Sequence, residues 1–136
     1  MAAASNFYSI VAGVGAGTCT SPLSSLPPRP QLTCKLLGRS VALKFAKAYP
    51  VALLARKPEN YESIVSEINQ AGGQAIGIST DVSSPDAVRN AFTRIEKEFE
   101  GKKLAAAVYN VGGAFVRKPF LELSLDEYTG GYDANG

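Results

Sequence analysis

Segments of strand and helix character alternate four times along this 136-residue chain, which predicts an α/β fold on a doubly wound parallel sheet with strand order 3-2-1-4. Two observations carry the prediction. The run VALLA (51–55) is apolar without alternation, the pattern of a strand covered on both faces, as in parallel sheets, and LAAAVY (104–109) is a further apolar run. Between the apolar runs lie segments with helical spacing, punctuated by glycine or proline. The composition, 46% hydrophobic against 19% charged, is that of a chain able to bury a core, and the length suits one domain, residues 1–136.

Phe7–Ala12 (FYSIVA) is short, partly β-branched and followed by Gly13, so it reads as the first strand and its turn. Gly38–Tyr49 places Val41, Leu43, Phe45, Ala46 and Ala48 among helix formers and is closed by Pro50. VALLA is the second strand, after which Pro58 opens a helix whose Tyr61, Ile64, Val65 and Ile68 share one face, with Gly72-Gly73 as its stop. Gln74–Ser79 is the third strand. Ser83, three residues before Asp86 and followed by Pro85, predicts a capping box for a helix carrying Val88, Phe92, Ile95 and Phe99 and ending near Gly101. Leu104–Tyr109 is the fourth strand, and Ser124 with Glu127 predicts a second capping box.

Residues 19–37 (CTSPLSSLPPRPQLTCKLL) break this pattern, with four of the eight prolines, both cysteines and neither helical nor strand period. They also contain Arg29 and Lys35 and no acidic residue; removing those two from 14 basic residues leaves 12 against 12 acidic, so the net charge of +2 resides here. The stretch reads as an irregular Pro/Ser-rich insertion, either solvated or a ligand for a proline-binding domain.

Absences exclude several chemistries. Without histidine, and with only Cys19 and Cys34, the chain cannot build Ser-His-Asp or Cys-His catalysis or the usual zinc sets. A net charge of +2 is far from the basic excess that nucleic-acid binding needs. The first basic residue is Arg29, so no secretory or mitochondrial leader is expected, and SIVAGVGAG is too short to span a membrane. These features predict a cytosolic, soluble chain with free thiols and no nucleic-acid or membrane partner.

A strand, a glycine-rich turn and a helix bring backbone N–H groups and a helix N-terminus to a dinucleotide pyrophosphate, with glycine required where a side chain would block the phosphate. Gly13, Gly15 and Gly17 follow the first strand, and Gly38 and Arg39 open the helix. With residues 19–37 left out, the chain reads AGVGAGT-GRSVALKFAK, which resembles the T-G-x-x-x-G-x-G turn of the short-chain dehydrogenase/reductase superfamily. Ala12 stands where that family prefers threonine, Gly13, Gly17 and Gly38 match its three glycines, and Thr18 takes its variable position. Asp81-Val82 is similar to its Asp-Val pair, whose aspartate approaches the adenine, and Asn110-Val111-Gly112 to its N-A-G turn beside the cofactor. Asn135 falls where the family carries the asparagine of its catalytic tetrad.

The resemblance implies a Rossmann fold, an NAD(P) cofactor, and hydride transfer between the nicotinamide and a small-molecule carbonyl or alcohol carbon. At the end of the second strand an acidic residue would bind the adenosine ribose hydroxyls, whereas this chain has Ala55, Arg56 and Lys57. A guanidinium pairs bidentately with phosphate, so NADP is expected over NAD. The family's acid/base tyrosine is followed four residues on by lysine. After Tyr8, Tyr49, Tyr61, Tyr109, Tyr128 and Tyr132 that position holds Ala12, Leu53, Val65, Gly113, Tyr132 and Gly136, so the pair is absent from these 136 residues.

Three readings stay open: the cofactor-binding half of an oxidoreductase, an inactive nucleotide-binding module, and a non-functional truncated product. An interrupted phosphate turn together with an end ahead of the catalytic residues is what a retained intron and a lost exon would produce. A sheet of four strands would also leave Leu104–Val108 as an open apolar edge, with homo-oligomers or aggregation as the consequence.

Overall fold

The computed structural model describes residues 6–14, 36–112 and 118–129. The strands are β1 (Phe7–Ala12), β2 (Val51–Ala55), β3 (Ala75–Ser79) and β4 (Lys103–Tyr109); the helices are α1 (Leu36–Phe45), α2 (Glu62–Gln70) and α3 (Pro85–Glu98). The four strands form one parallel sheet in the order β3-β2-β1-β4, as the alternating pattern predicts. Register sets Ser9 beside Val51, Leu53 beside Gly77 and Ala12 beside Tyr109, so all four strands end along one edge.

Period-2 alternation sends successive residues to opposite faces, and each face has its own helices. Val11, Val51, Leu53 and Ala55 pack with Ala42, Ala46, Ile64 and Ile68 of α1, its trailing turn and α2. Tyr8, Ile10, Ala52, Leu54 and Ile78 pack with Ala91, Ile95 and Phe99 of and beyond α3. The Tyr8 and Phe99 ring centroids lie 5.3 Å apart, a tilted aromatic contact. Every residue of β2 is buried, which is why VALLA is apolar throughout.

Local chemistry accounts for the helix boundaries, with three departures from the sequence pattern. First, α1 begins at Leu36, so the last two residues of the 19–37 stretch are helical; it ends at Phe45 because Pro50 disfavours helical backbone at Tyr49, and turns over 46–49 lead into β2. Second, Pro58 opens a 3-10 turn, Pro58–Asn60, and α2 starts only at Glu62. Third, the cap of α3 is Ser84, whose hydroxyl accepts from the Ala87 N–H, and Ser83 is not the cap. The buried stripe of α3 runs through Ala91 and Ile95 to Phe99, whereas Phe92, expected on that apolar face, is 37% exposed. The second capping box forms as spaced: the Glu127 N–H donates to the Ser124 hydroxyl at 3.2 Å and the Ser124 N–H to the Glu127 carboxylate at 3.0 Å. Lys118 pairs with the same carboxylate, and these donors hold the Glu127 carboxyl below the ordinary carboxylate range.

Cys19, Cys34 and the 19–35 part of the proline-rich stretch lie outside the described residues. Among the described residues no helix is long and apolar enough to cross a membrane, and no group of His, Cys, Asp and Glu could hold a metal ion.

Ser9, in the middle of β1, is fully buried, and its hydroxyl has no hydrogen-bond partner among the described residues. An orphaned buried hydroxyl destabilises the fold that encloses it. Ser9→Ala removes it with little change of volume and is expected to raise stability by about 1 kcal/mol, read as a higher urea midpoint at unchanged slope; a lower midpoint would show that the hydroxyl is satisfied.

Candidate functional site

Because the strands are parallel and end together, the residue after each one falls on a common line at the carboxyl edge of the sheet. The ladder runs one step beyond the strands: Gly13 N–H donates to Leu54 O, Thr80 N–H to Ala55 O and Asn110 N–H to Ala12 O, each at 2.9 Å. From β1 the chain order proceeds to β2 and β3 on one side and then to β4 on the other, so the topological switch lies between β1 and β4, where ligands of open α/β sheets bind. Gly13 and Asn110 flank it.

The switch point is packed backbone against backbone. Gly13 has φ +83°, a left-handed conformation costly for any residue with a side chain, and a Cβ there would fall on the Asn110 carbonyl. The Asn110 side-chain amide in turn donates to Gly13 O at 3.2 Å. Gly38, 25 positions away in sequence, closes the other side: it is buried, and a Cβ on it would lie 2.8 Å from Gly13 O and 2.9 Å from the Val14 Cα. The early turns of α1 thus rest directly on the turn after β1. This cradle of three close backbones is what a dinucleotide-binding turn requires: glycine at the bend and glycine where helix meets strand. The residues present therefore fit an NAD(P) cofactor.

Charge gathers on the β2–β3 side. Arg56 and Lys57 follow β2 and are exposed; Lys57 lies 3.5 Å from Glu59. Asp81 follows β3, and its carboxylate accepts from both the Ser83 hydroxyl at 2.7 Å and the Ser83 N–H at 3.0 Å. The two Ser83 donors, with a smaller attraction from Arg56, hold the Asp81 carboxyl below the usual carboxylate range. Val82 and Val111 are half-buried at the edge of the α3-side core, and Gly112 is exposed.

Arg39 is directed to α2, where one guanidinium nitrogen meets both Glu67 carboxylate oxygens at 2.7 and 2.6 Å. Gly15, Gly17, Thr18 and Asn135 lie outside the described residues. The structure thus brings Gly13, Gly38, Asn110, Val111 and Gly112 to the switch point and sets Arg56, Lys57, Asp81 and Val82 farther along the same edge, after β2 and β3. Ser83, read from sequence as a cap, is the residue that orients Asp81; an aspartate two residues ahead of a serine is the spacing of an Asx-type turn, and that signal was in the sequence.

Comparison with known proteins establishes the class. The family profile described as short chain dehydrogenase matches residues 34–135, and the chain belongs to this family. It is 34% identical over 100 residues to the 3beta-hydroxysteroid dehydrogenase of Mediterraneibacter gnavus, covering 73% of this chain and 36% of that protein. It is 30% identical over 91 residues to the 1,6-dihydroxycyclohexa-2,4-diene-1-carboxylate dehydrogenase of Acinetobacter baylyi, covering 67% and 34%. Among solved structures, a 3-ketoacyl-ACP reductase from Sinorhizobium meliloti superposes with a TM-score of 0.72 at 27% identity, over 94% of this chain and 42% of that one. The chain therefore spans about a third of the length of the curated relatives it matches.

Two substitutions test this geometry. Gly13→Ala should lower stability by about 2 kcal/mol or more, since left-handed backbone costs about 1–2 kcal/mol and a forced contact about 1–3; urea unfolding measures it. In Ser83→Ala the Asp81 carboxyl should titrate closer to the ordinary carboxylate value, followed by NMR. A pKa lowered on folding contributes stability that is complete above the unfolded-state pKa and fades as pH falls through the folded one, so Ser83→Ala should also flatten the loss of stability in acid. An unmoved titration would show that Ser83 does not hold the carboxylate.

Proposed function

We propose that these residues form the cofactor-binding part of an NADP-dependent oxidoreductase that moves hydride between the nicotinamide and a small-molecule carbonyl or alcohol carbon. The observation that carries the reading is the packed cradle of Gly13, Gly38 and Asn110 at the switch point, in a chain of the short-chain dehydrogenase family. The hydride chemistry is supplied by the cofactor when bound; the chain's own residues bind and orient it. Gly13, Gly15, Gly17, Thr18, Gly38 and Arg39 are assigned to the cofactor's pyrophosphate, on the spacing of the glycines in the sequence and the contact of Gly38 with Gly13. Asp81 and Val82 border the adenine, with Asp81 oriented by Ser83. Asn110, Val111 and Gly112 border the cofactor on the β4 side, and Asn135 is the family's helix asparagine, a candidate catalytic residue.

The preference for NADP over NAD is assigned to Arg56, helped by Lys57. Arg56 is exposed at the strand end where an acidic residue would bind ribose hydroxyls, and it forms no ion pair with another described residue. Its guanidinium is therefore available to a 2′-phosphate. Arg39 supports the same turn while its charge is shared with Glu67.

Titration of the chain with NADPH and NADH, followed by nicotinamide fluorescence, tests the reading. Saturable binding with NADPH preferred is expected, and Arg56→Glu should shift that preference toward NADH by about tenfold or more, because a charge-assisted bond worth about 1.5–3 kcal/mol is replaced by repulsion. Absence of saturable NADPH binding defeats the assignment; an unchanged NADPH/NADH ratio in Arg56→Glu removes Arg56 from it.

A further inference from the structure

The turn that carries Arg56 and Lys57 has both of its ends fixed to β3. At its start, Ala55 lies in register with Ser79, and its carbonyl accepts from the Thr80 N–H at 2.9 Å. At its end stands Tyr61, between the 3-10 turn Pro58–Asn60 and α2. Gly77 and Ser79 are in register with Leu53 and Ala55, which pack toward α1 and α2, and being two apart in a strand they share that face. The Tyr61 ring lies along it: a Cβ on Gly77 would fall on the ring, and the Tyr61 and Ser79 hydroxyls are hydrogen-bonded at 3.0 Å. Ser79 thus holds the start of the turn through its backbone register and the end through its side chain.

Between these anchors residues 56–60 have little freedom of their own. Lys57 is extended, with φ −117° and ψ 135°, the conformation favoured ahead of a proline, and Pro58 fixes its own φ. The Asn60 N–H donates to Lys57 O at 3.1 Å and the Tyr61 N–H to Pro58 O at 3.0 Å, which closes the turn on itself. Arg56 and Lys57 are exposed and belong to neither core, so their placement comes from the ends of the turn and not from packing of their own. Glycine inside a strand marks a place where another group approaches closely, and at Gly77 that group is the Tyr61 ring.

We propose that Tyr61, seated on Gly77 and Ser79, is a positioning residue for Arg56 and Lys57 and thereby sets the preference for NADP over NAD; the inference rests on the assignment of that preference to Arg56. A guanidinium held ready for a 2′-phosphate loses less freedom on binding than one on a loose turn, and only the cofactor that carries this phosphate gains from it. Release of the turn therefore lowers affinity for NADPH and leaves affinity for NADH in place. Loss of a contact that merely supports the fold would weaken both alike.

Gly77→Ala unseats the ring and Tyr61→Ala removes it. Each should lower the NADPH/NADH affinity ratio about threefold or more in fluorescence titration, with NADH affinity within about twofold of the unaltered chain. The double variant has no ring left to displace and should match Tyr61→Ala alone. In the cofactor-free chain, Gly77→Ala should also speed exchange of the Asn60 and Tyr61 amides about threefold or more, because the turn they close is released. An unchanged ratio, an equal loss for both cofactors, additive effects in the double variant, or unaltered amide exchange would overturn the proposal. If circular dichroism shows either single variant misfolded, Ser79→Ala, at an exposed position, decides: it removes the hydroxyl that Tyr61 meets and should lower the ratio about twofold, and an unchanged ratio overturns the proposal. Arg56→Glu separates the two levels of inference. A ratio that ignores Arg56→Glu overturns both, whereas one that responds to Arg56→Glu but not to Gly77→Ala overturns the role of Tyr61 alone.

Discussion

The arrangement depends on a backbone contact between Gly13 and Asn110, closed from the other side by Gly38. Adjacent parallel strands ordinarily separate beyond their last hydrogen bond, but here the Asn110 amide reaches back to Gly13 O and the Asn110 carbonyl occupies the space a Gly13 Cβ would take. The turn after β1 is thereby locked to the end of β4. Gly38 then lets α1 lie against Gly13 and Val14, where a Cβ would come within 2.8 Å of Gly13 O and 2.9 Å of the Val14 Cα. Three backbones converge at the point where the chain changes direction across the sheet, and the candidate cofactor site is the concavity this convergence leaves.

The rest of the fold holds those backbones in place. β1 and β2 are central, with odd positions of β1 packed toward α1 and α2 and even positions toward α3. A shift of β1 by one residue would exchange its two faces, moving Val11 toward α3 and Ile10 toward α1, and would carry Gly13 out of register with Asn110. Two-faced burial therefore fixes the site's register as well as the core. The bidentate contact of Arg39 with Glu67 ties α1 to α2 from the surface; with both side chains about 40% exposed, it contributes about 1 kcal/mol at most.

Elements defined by a local pattern were legible in the sequence, and features defined by contacts across it were not. β1 and β2 have the bounds their apolar runs predict, since continuous burial leaves an unambiguous apolar run. Setting aside residues 19–37 puts Gly38 in one spaced glycine pattern with Gly13, and in the structure the two glycines are packed against each other. Ser83 and Ser84 are both capping residues, so the pattern alone puts the cap of α3 at Ser83; Asp81 engages the first and leaves the second to the helix. The spacing of Val88, Phe92, Ile95 and Phe99 puts Phe92 on the apolar face of α3, whereas Ala91 is the buried residue there and Phe92 is 37% exposed. The Arg39–Glu67 pair spans 28 positions, and no periodicity reports it.

The site divides into two parts that respond differently to change. On the β1–β4 side the determinants are steric, and the residues that shape the cradle also hold the fold, so substitutions at Gly13 or Gly38 act on stability and binding together. On the β2–β3 side the determinants are electrostatic: Arg56, Lys57 and Asp81 are exposed, none is packed in either core, and their geometry is set by strand ends and by Ser83. Charge there can change without moving the backbone, because the strand ends are held by ladder bonds from Gly13 to Leu54 and from Thr80 to Ala55. Under the proposed function, charge that sets cofactor preference can therefore vary on a constant fold, whereas the cradle proposed to hold the dinucleotide cannot be separated from the contact between Gly13 and Asn110.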